Sequence, residues 1–125
     1  MPTPRRHTFP KAQRLKSRKQ IEALFRSGKS FSVFPIRVFY HWEGTGLPKV
    51  GVGAPKRHFK KAVDRNRIKR LLREGYRLQK QALLDAPTAL GLHVFIVYTG
   101  KDIPVFTDVM DRMGVILTRL QALRP

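Results

Sequence analysis

The run LHVFIVYT, Leu92 to Thr99, is almost wholly apolar or β-branched. Such a segment satisfies its side chains only as a strand covered on both faces, which places it at the centre of a sheet. Two further strands are read from other patterns. After Pro35 the run IRVFYHW alternates, with Ile36, Val38, Tyr40 and Trp42 on one face and Arg37, Phe39 and His41 on the other. The turn EGTGLP leads into KVGVGA, read as a second strand forming a hairpin with the first. Its glycines weaken packing but permit close approach of another group to the backbone. If the first face is core, Phe39 offers a flat ring among basic neighbours.

Three helices complete the pattern. Ser17 with Gln20 matches a capping box, Ile21, Leu24 and Phe25 make one apolar stripe, and Gly28 stands where a helix C-terminal glycine belongs. A second helix is expected from about Ala62 to Leu84, stopped by Pro87. At about 100° per residue its Ile68, Leu71, Leu72, Gly75 and Leu78 share one side. Arg65, Asn66, Lys69, Arg70, Arg73, Arg77 and Lys80 occupy an opposite arc of about 140°, with Arg67 near its boundary. Phe106, Val109, Met110, Met113, Ile116, Leu117 and Leu120 give a closing amphipathic helix.

The 125 residues suffice for one domain, residues 17–125, preceded by a basic extended arm over 1–16 in which Phe9 and Leu15 are the expected anchors. The net charge is +18. Residues 1–80 hold 22 basic and 4 acidic side chains, whereas 81–125 hold 4 of each, so all the excess lies in the first two thirds. Charge of one sign repels itself unless a polyanion neutralises it. A merely solvated helix face mixes signs, but Glu74 is the sole acid between Arg65 and Lys80, and like charges at i,i+4 repel. Phosphate binding is therefore the reading of that face. Phe25, Phe31, Phe34, Phe39, Tyr40 and Trp42 lie near basic residues, as stacking of unpaired bases requires. For any one ring core packing is the ordinary role, and Phe39 is the exception because alternation sets it opposite the apolar face.

Nothing in the sequence supplies unaided chemistry. Asp102, Asp108 and Asp111 are the one conceivable metal cluster, as in a Mg²⁺ nuclease, but Asp108 and Asp111 in the opening turns of a helix simply complement its dipole. His7, His41, His58 and His93 lack ligand spacing, and no phosphate-binding glycine loop or nucleophile motif occurs. With no cysteine the fold uses neither disulfides nor thiolate metal sites, which suits a reducing cytoplasm. No apolar run reaches the roughly 20 residues of a membrane span, and PTPRRHTFPK lacks the apolar stretch of a secretory signal. The expected location is the cytoplasm.

The segment RNRIKRLLRE at Arg65 to Glu74, preceded by APKRHFKKAVD, resembles the signature of the bacterial ribonuclease P protein component. The resemblance extends upstream through FPKAQRLKSRKQIEALFRSGKS, covers about Phe9 to Gln81 closely, and holds beyond that in the order of elements. It implies an α/β two-layer sandwich with a small mixed sheet, an amino-terminal helix, a basic central helix and a carboxy-terminal helix. It also implies one more strand before the basic helix, in Ser30 to Phe34 or Gly51 to Pro55, and a left-handed βαβ crossover, against the usual handedness.

The family's function is implied with the fold: a protein subunit that assists a catalytic RNA in removing the 5′ leader from precursor tRNA, with Mg²⁺ held mainly by RNA and no catalytic residue in the protein. By the same resemblance Arg65, Asn66, Arg67, Lys69, Arg70, Arg73 and Arg77, with Lys56, Arg57, Lys60 and Lys61, meet the RNA subunit. Phe25, Phe39 and Arg14 line a leader cleft, with Lys56 nearby. Two departures stand out: Ile21 replaces an aromatic of the first helix, and Lys60 and Lys61 make the loop more basic than in members with glycine there. The rival readings are a structural or ribosome-associated RNA-binding protein and an autonomous nuclease on the three aspartates.

Overall fold

The computed structural model describes residues 14–45, 48–80 and 90–123. In chain order it contains α1 (Arg18–Ser27), β1 (Lys29–Val33), β2 (Ile36–Thr45), β3 (Lys49–Gly53), α2 (Ala62–Gln79), β4 (Leu90–Tyr98) and α3 (Phe106–Ala122). The four strands make one mixed sheet in the order β1-β2-β4-β3. The additional strand implied by the family resemblance is β1, at the first of its two expected places. Among the described residues no helix is long and apolar enough to cross a membrane.

The apolar run Leu92 to Thr99 does supply a central strand, and its position corrects the expected hairpin. β2 and β3 are not partners: β4 lies between them, antiparallel to β2 and parallel to β3. The physical reason is the composition of β4, which needs a neighbour on each edge as well as cover on each face, while β2 is already paired antiparallel with β1 on its other side. A parallel β3–β4 pair cannot be closed by a tight turn, so the connection crosses over through α2. That crossover lays the apolar stripe of α2 on the sheet.

One face of the sheet carries the core. Ile36, Val38, Tyr40, Val50, Leu92, Val94, Ile96 and Tyr98 pack there against Ile68, Leu72 and Tyr76 of α2 and Val109, Met113, Ile116, Leu117 and Leu120 of α3. Each large aliphatic side chain buried in this way contributes about 1.5–3 kcal/mol. Tyr76, fully buried, belongs to a core stripe drawn from the sequence without it, and burial pushes its phenol pKa up. Lys80 is a second correction. Assigned to the basic arc, it is 4% exposed at the end of α2, and its pKa is lowered first by burial and then by Arg77. The expected continuation of α2 to Leu84 and Pro87 lies outside the described residues.

Among the described residues the opposite face takes α1 and the segment that leads into it. Ser17 caps this helix by accepting from the Gln20 backbone N–H at 3.4 Å, and Gly28 ends it with φ −75°. Glycine is needed at 28 for space: a Cβ there meets the Leu24 carbonyl oxygen at 2.6 Å and the Tyr40 carbonyl oxygen at 3.2 Å. Before α1 the chain runs along β3. Arg14 bridges Val50 in parallel, Leu15 N–H donates to the Val50 carbonyl at 3.0 Å, and Leu15 is buried, as expected of an anchor. Phe9 and the rest of the arm lie outside the described residues.

Gly51 shows what the glycines of β3 are for. A Cβ at this position sits 2.7 Å from Cδ2 of Phe95 and 2.9 Å from the Leu15 carbonyl oxygen, so the ring and the incoming arm both occupy the space a side chain needs. Gly51→Ala is predicted to destabilise the fold by about 1–3 kcal/mol through overpacking. Urea unfolding checks this, and an unchanged midpoint shows instead that the ring and the arm yield freely.

Candidate nucleic-acid interface

The residues singled out in the sequence fall on two surfaces. The first is built by α2 and the segment that leads into it. Asn66, Arg67, Arg70 and Arg73 are exposed on the helix, and Lys69 is half-buried. Lys56 and Arg57, in a turn after β3, and Lys60 and Lys61, just before the helix, are also exposed. This segment is ordered by its backbone and by one ring: His58 and Phe59 N–H both donate to the Pro55 carbonyl, and Phe59 is buried 6.0 Å from the ring of Tyr98.

Arg65 and Arg77 are engaged within the protein. One Arg65 nitrogen, Nη1, donates to the carbonyls of Phe59 at 2.8 Å and Lys60 at 2.9 Å. Arg77 is paired with Glu74, its Nε donating to Oε2 at 3.1 Å and its Nη2 to Oε1. That hydrogen bond holds the Glu74 carboxyl below its ordinary pKa and raises that of Arg77. The one acid of the basic arc is thus spent on a single arginine, and Arg70 and Arg73 keep their field.

The second surface is the face of the sheet that α1 leaves partly open. Strand alternation puts Arg37 and Phe39 there, and the register sets Phe95 of β4 directly opposite Phe39, with Gly51 of β3 next to it. Phe25, 47% exposed, stands edge-on to both rings, 4.8 Å from Phe39 and 5.3 Å from Phe95 between centroids. The Arg37 guanidinium lies 5.2 Å from the Phe39 centroid and donates to Ser30 Oγ at 3.1 Å. A cation over a ring face and a second ring at its edge both complement the aromatic quadrupole. The expected oddity of Phe39 is therefore one ring of a three-ring cluster joined through Phe25, with an arginine above it.

Beside this cluster opens a cleft of about 360 Å³, lined by Arg14, Leu15, Lys16 and Ile21, by Val50, Gly51 and Val52 of β3, by Phe95, and by Arg73 reaching over from α2. It places an aliphatic side chain, Ile21, where the family resemblance implied an aromatic one. Arg14 and Arg73 meet here without an acid among the lining residues. The Arg73 pKa is lowered first by burial and then by the Arg14 and Arg70 guanidinium groups. Crowded cations in a partly desolvated hollow attract an anion that relieves their repulsion. Lys56 lies beyond the end of β3, outside this lining.

Phe95 and the meeting of Arg14 with Arg73 were missed by sequence reasoning. In an apolar run Phe95 reads as core, and only the pairing with β2 reveals that it shares a face with Phe39. The same register brings His41 opposite His93, and His93 opposite Lys49, although their sequence spacing gave no hint of a group. Phe31 packs against the core with the Arg119 guanidinium 5.2 Å from its centroid, Tyr40 is core, and Phe34 is 75% exposed at the β1–β2 turn. Among the described residues no three His, Cys, Asp or Glu side chains are grouped closely enough to hold a metal ion. Asp108 opens α3, and Asp102 offers its backbone carbonyl to the Tyr98 hydroxyl at 2.5 Å.

Comparison with known proteins bears on the family and the fold. The Ribonuclease P family profile matches residues 9–120. The ribonuclease P protein component of Porphyromonas gingivalis is 34% identical over 125 residues, covering 96% of this chain and 91% of that protein. That of Nitrosococcus oceani is 39% identical over 75 residues, 60% of this chain and 63% of the relative. Among solved structures, the RNase P protein of Thermotoga maritima superposes with a TM-score of 0.70 at 23% identity, covering 85% of this chain and 96% of that one. The Staphylococcus aureus RNase P protein gives 0.68 at 19%, covering 91% and 100%. At those identities the structures speak for the fold, and the sequence matches speak for descent: the chain belongs to the family of ribonuclease P protein components, the protein subunits of that endoribonuclease.

Proposed function

We propose that the two surfaces divide the substrate complex between them, with the α2 face and its preceding loop gripping the RNA subunit and the aromatic cleft holding the single-stranded 5′ leader of precursor tRNA. Family membership makes the chain a subunit of a tRNA-processing ribonuclease whose partner is an RNA. The observation that carries the division is the Phe25–Phe39–Phe95 cluster beside Arg14 and Arg73. Partly exposed rings suit stacking by unpaired bases of any identity, and the flanking guanidinium groups suit the phosphates between them. A basic helix face without rings suits a folded RNA backbone.

Among the described residues no group of carboxylates is placed to hold a metal ion, and the protein's part in this reading is to bind and orient. Mg²⁺ for the cleavage is held by the RNA, and the concentrated positive charge of the protein lowers the repulsion that the ions otherwise screen. The cytoplasm, where tRNA precursors are made, is the proposed site of action.

Reconstitution with the RNA subunit at low Mg²⁺ tests the assignment, with each component alone as control. Cleavage of precursor tRNA is expected only from the mixture; cleavage by the protein alone revives the autonomous nuclease, and RNA binding without enhanced cleavage favours a purely structural RNA-binding role. Phe39→Ala is predicted to weaken binding of leader-bearing substrate by about 1–3 kcal/mol while leaving affinity for leaderless tRNA unchanged. Equal effects on both substrates contradict the cleft assignment.

Arg73→Gln separates stability from binding. Relief of repulsion from Arg14 and Arg70 is predicted to stabilise the free protein by about 0.2–0.5 kcal/mol, a gain that fades in high salt. RNA association is predicted to lose one phosphate contact, seen as a drop of about 0.7–0.9 in the slope of log affinity against log salt. Urea unfolding at two salt concentrations and an RNA titration series measure the two effects. A destabilised variant with an unchanged slope contradicts both.

A further inference from the structure

We infer that Arg65 is a positioning residue: its guanidinium fixes the basic segment Lys56 to Lys61 against α2, so that loop and helix cations act as one RNA-binding surface. The inference rests on the reading that this surface binds RNA and changes what Arg65 does there.

Arg65 is half-buried in the first turn of α2, and its Nη1 donates to two successive carbonyls, Phe59 at 2.8 Å and Lys60 at 2.9 Å. A nitrogen directed at both carbonyls is committed to the protein rather than aimed at a ligand. The backbone it holds needs holding. Lys61 occupies the N-cap position of α2 without a side-chain capping bond, and Lys56, Arg57, Lys60 and Lys61 are four exposed cations within six residues. Like charges so close favour an expanded segment. Four features oppose this among the described residues: the turn closed on the Pro55 carbonyl, the buried Phe59 ring, the Lys61 carbonyl accepting from the Asp64 and Arg65 backbone N–H at 3.1 and 3.2 Å, and the Arg65 side-chain clasp. The first two hold the segment up to residue 59. The helix bonds hold Lys61 at its carbonyl; of the four, the side-chain clasp is the one that reaches the Lys60 carbonyl and ties the two held stretches together.

The energetic consequence follows from preorganisation. A cation already in place contributes its phosphate contact without an ordering cost, whereas a mobile lysine loses about 0.5–1.5 kcal/mol on immobilisation. Removing Arg65 therefore withdraws the contributions of its neighbours as well as its own charge. A direct phosphate contact at Arg65 behaves differently, since its loss is worth one contact and adds to the loss of any other.

A double-mutant cycle on the full chain separates the two, using in vitro transcribed ribonuclease P RNA as probe and the salt dependence of affinity as readout. The variants are Arg65→Ala, Lys60→Ala with Lys61→Ala, and all three together. Positioning predicts that Arg65→Ala alone lowers the log-log slope by two or more contacts, at about 0.7–0.9 each, and that the two lysine changes then add less than one. Limited trypsin digestion is expected to cut at Lys56 to Lys61 faster in Arg65→Ala than in Arg70→Ala. Where thermal melting shows Arg65→Ala to be unfolded, Arg65→Gln, which keeps an amide donor without the charge, takes its place. A one-contact loss that adds fully to the lysine changes, with unaltered digestion, overturns the inference. If the lysine changes leave the slope of the otherwise native chain untouched, the loop does not bind RNA and the underlying reading fails with it.

Discussion

Strand β4 has apolar residues on both faces and strand partners on both edges, and most of the architecture follows from that double demand. Its even-numbered residues, Leu92, Val94, Ile96 and Tyr98, are buried under α2 and α3. Its odd-numbered residues include His93, Phe95 and Val97, on the face that α1 covers only in part. One apolar strand thus separates a dry core from an aromatic floor. Because the parallel neighbour β3 can be reached only by a crossover, the same strand dictates that α2 be laid across the core face. The basic arc of α2 then turns outward beside β3, and Arg73 meets the arm that carries Arg14.

Charge is arranged so that repulsion is stored where a polyanion can relieve it. Glu74 neutralises Arg77, and the backbone carbonyls of Phe59 and Lys60 engage Arg65. Arg70 and Arg73 have no comparable acid on the helix, and Arg73 carries the consequence as a lowered pKa. The first surface has charge without rings and the second has rings with charge at their edges, a difference that matches a folded RNA backbone on one side and an unpaired strand on the other.

Elements with a strong local period were legible in the sequence. α1, α2 and α3 each show a clear apolar stripe, and Phe39 was picked out by alternation within a single strand. Partnership between strands was not legible, because pairing is a non-local choice. The turn EGTGLP looks like a hairpin connection in isolation, and only the requirement that β4 be flanked on both edges separates β2 from β3. For the same reason Phe95 passed as core and the alignment of His41 with His93 went unseen. Lys80 was misplaced and Tyr76 left out for a different reason: a helical wheel assigns an angle, but how deep a position sinks depends on what packs beside it, here α3 and the sheet. The glycines of β3 gave a usable signal of close approach, though not the identity of the ring that takes the space.

The central claim is that the sheet face left open by α1 holds the leader, and site-directed photocrosslinking tests it most directly. A precursor tRNA with a photoreactive 4-thiouridine in the leader is irradiated in the reconstituted complex, and the crosslinked peptides are mapped. The account predicts adducts in α1, β2, β4 and the Arg14 segment, centred on Phe25, Phe39 and Phe95. Adducts confined to the outer face of α3, around Arg112 and Arg119, with that cluster unmarked, contradict it.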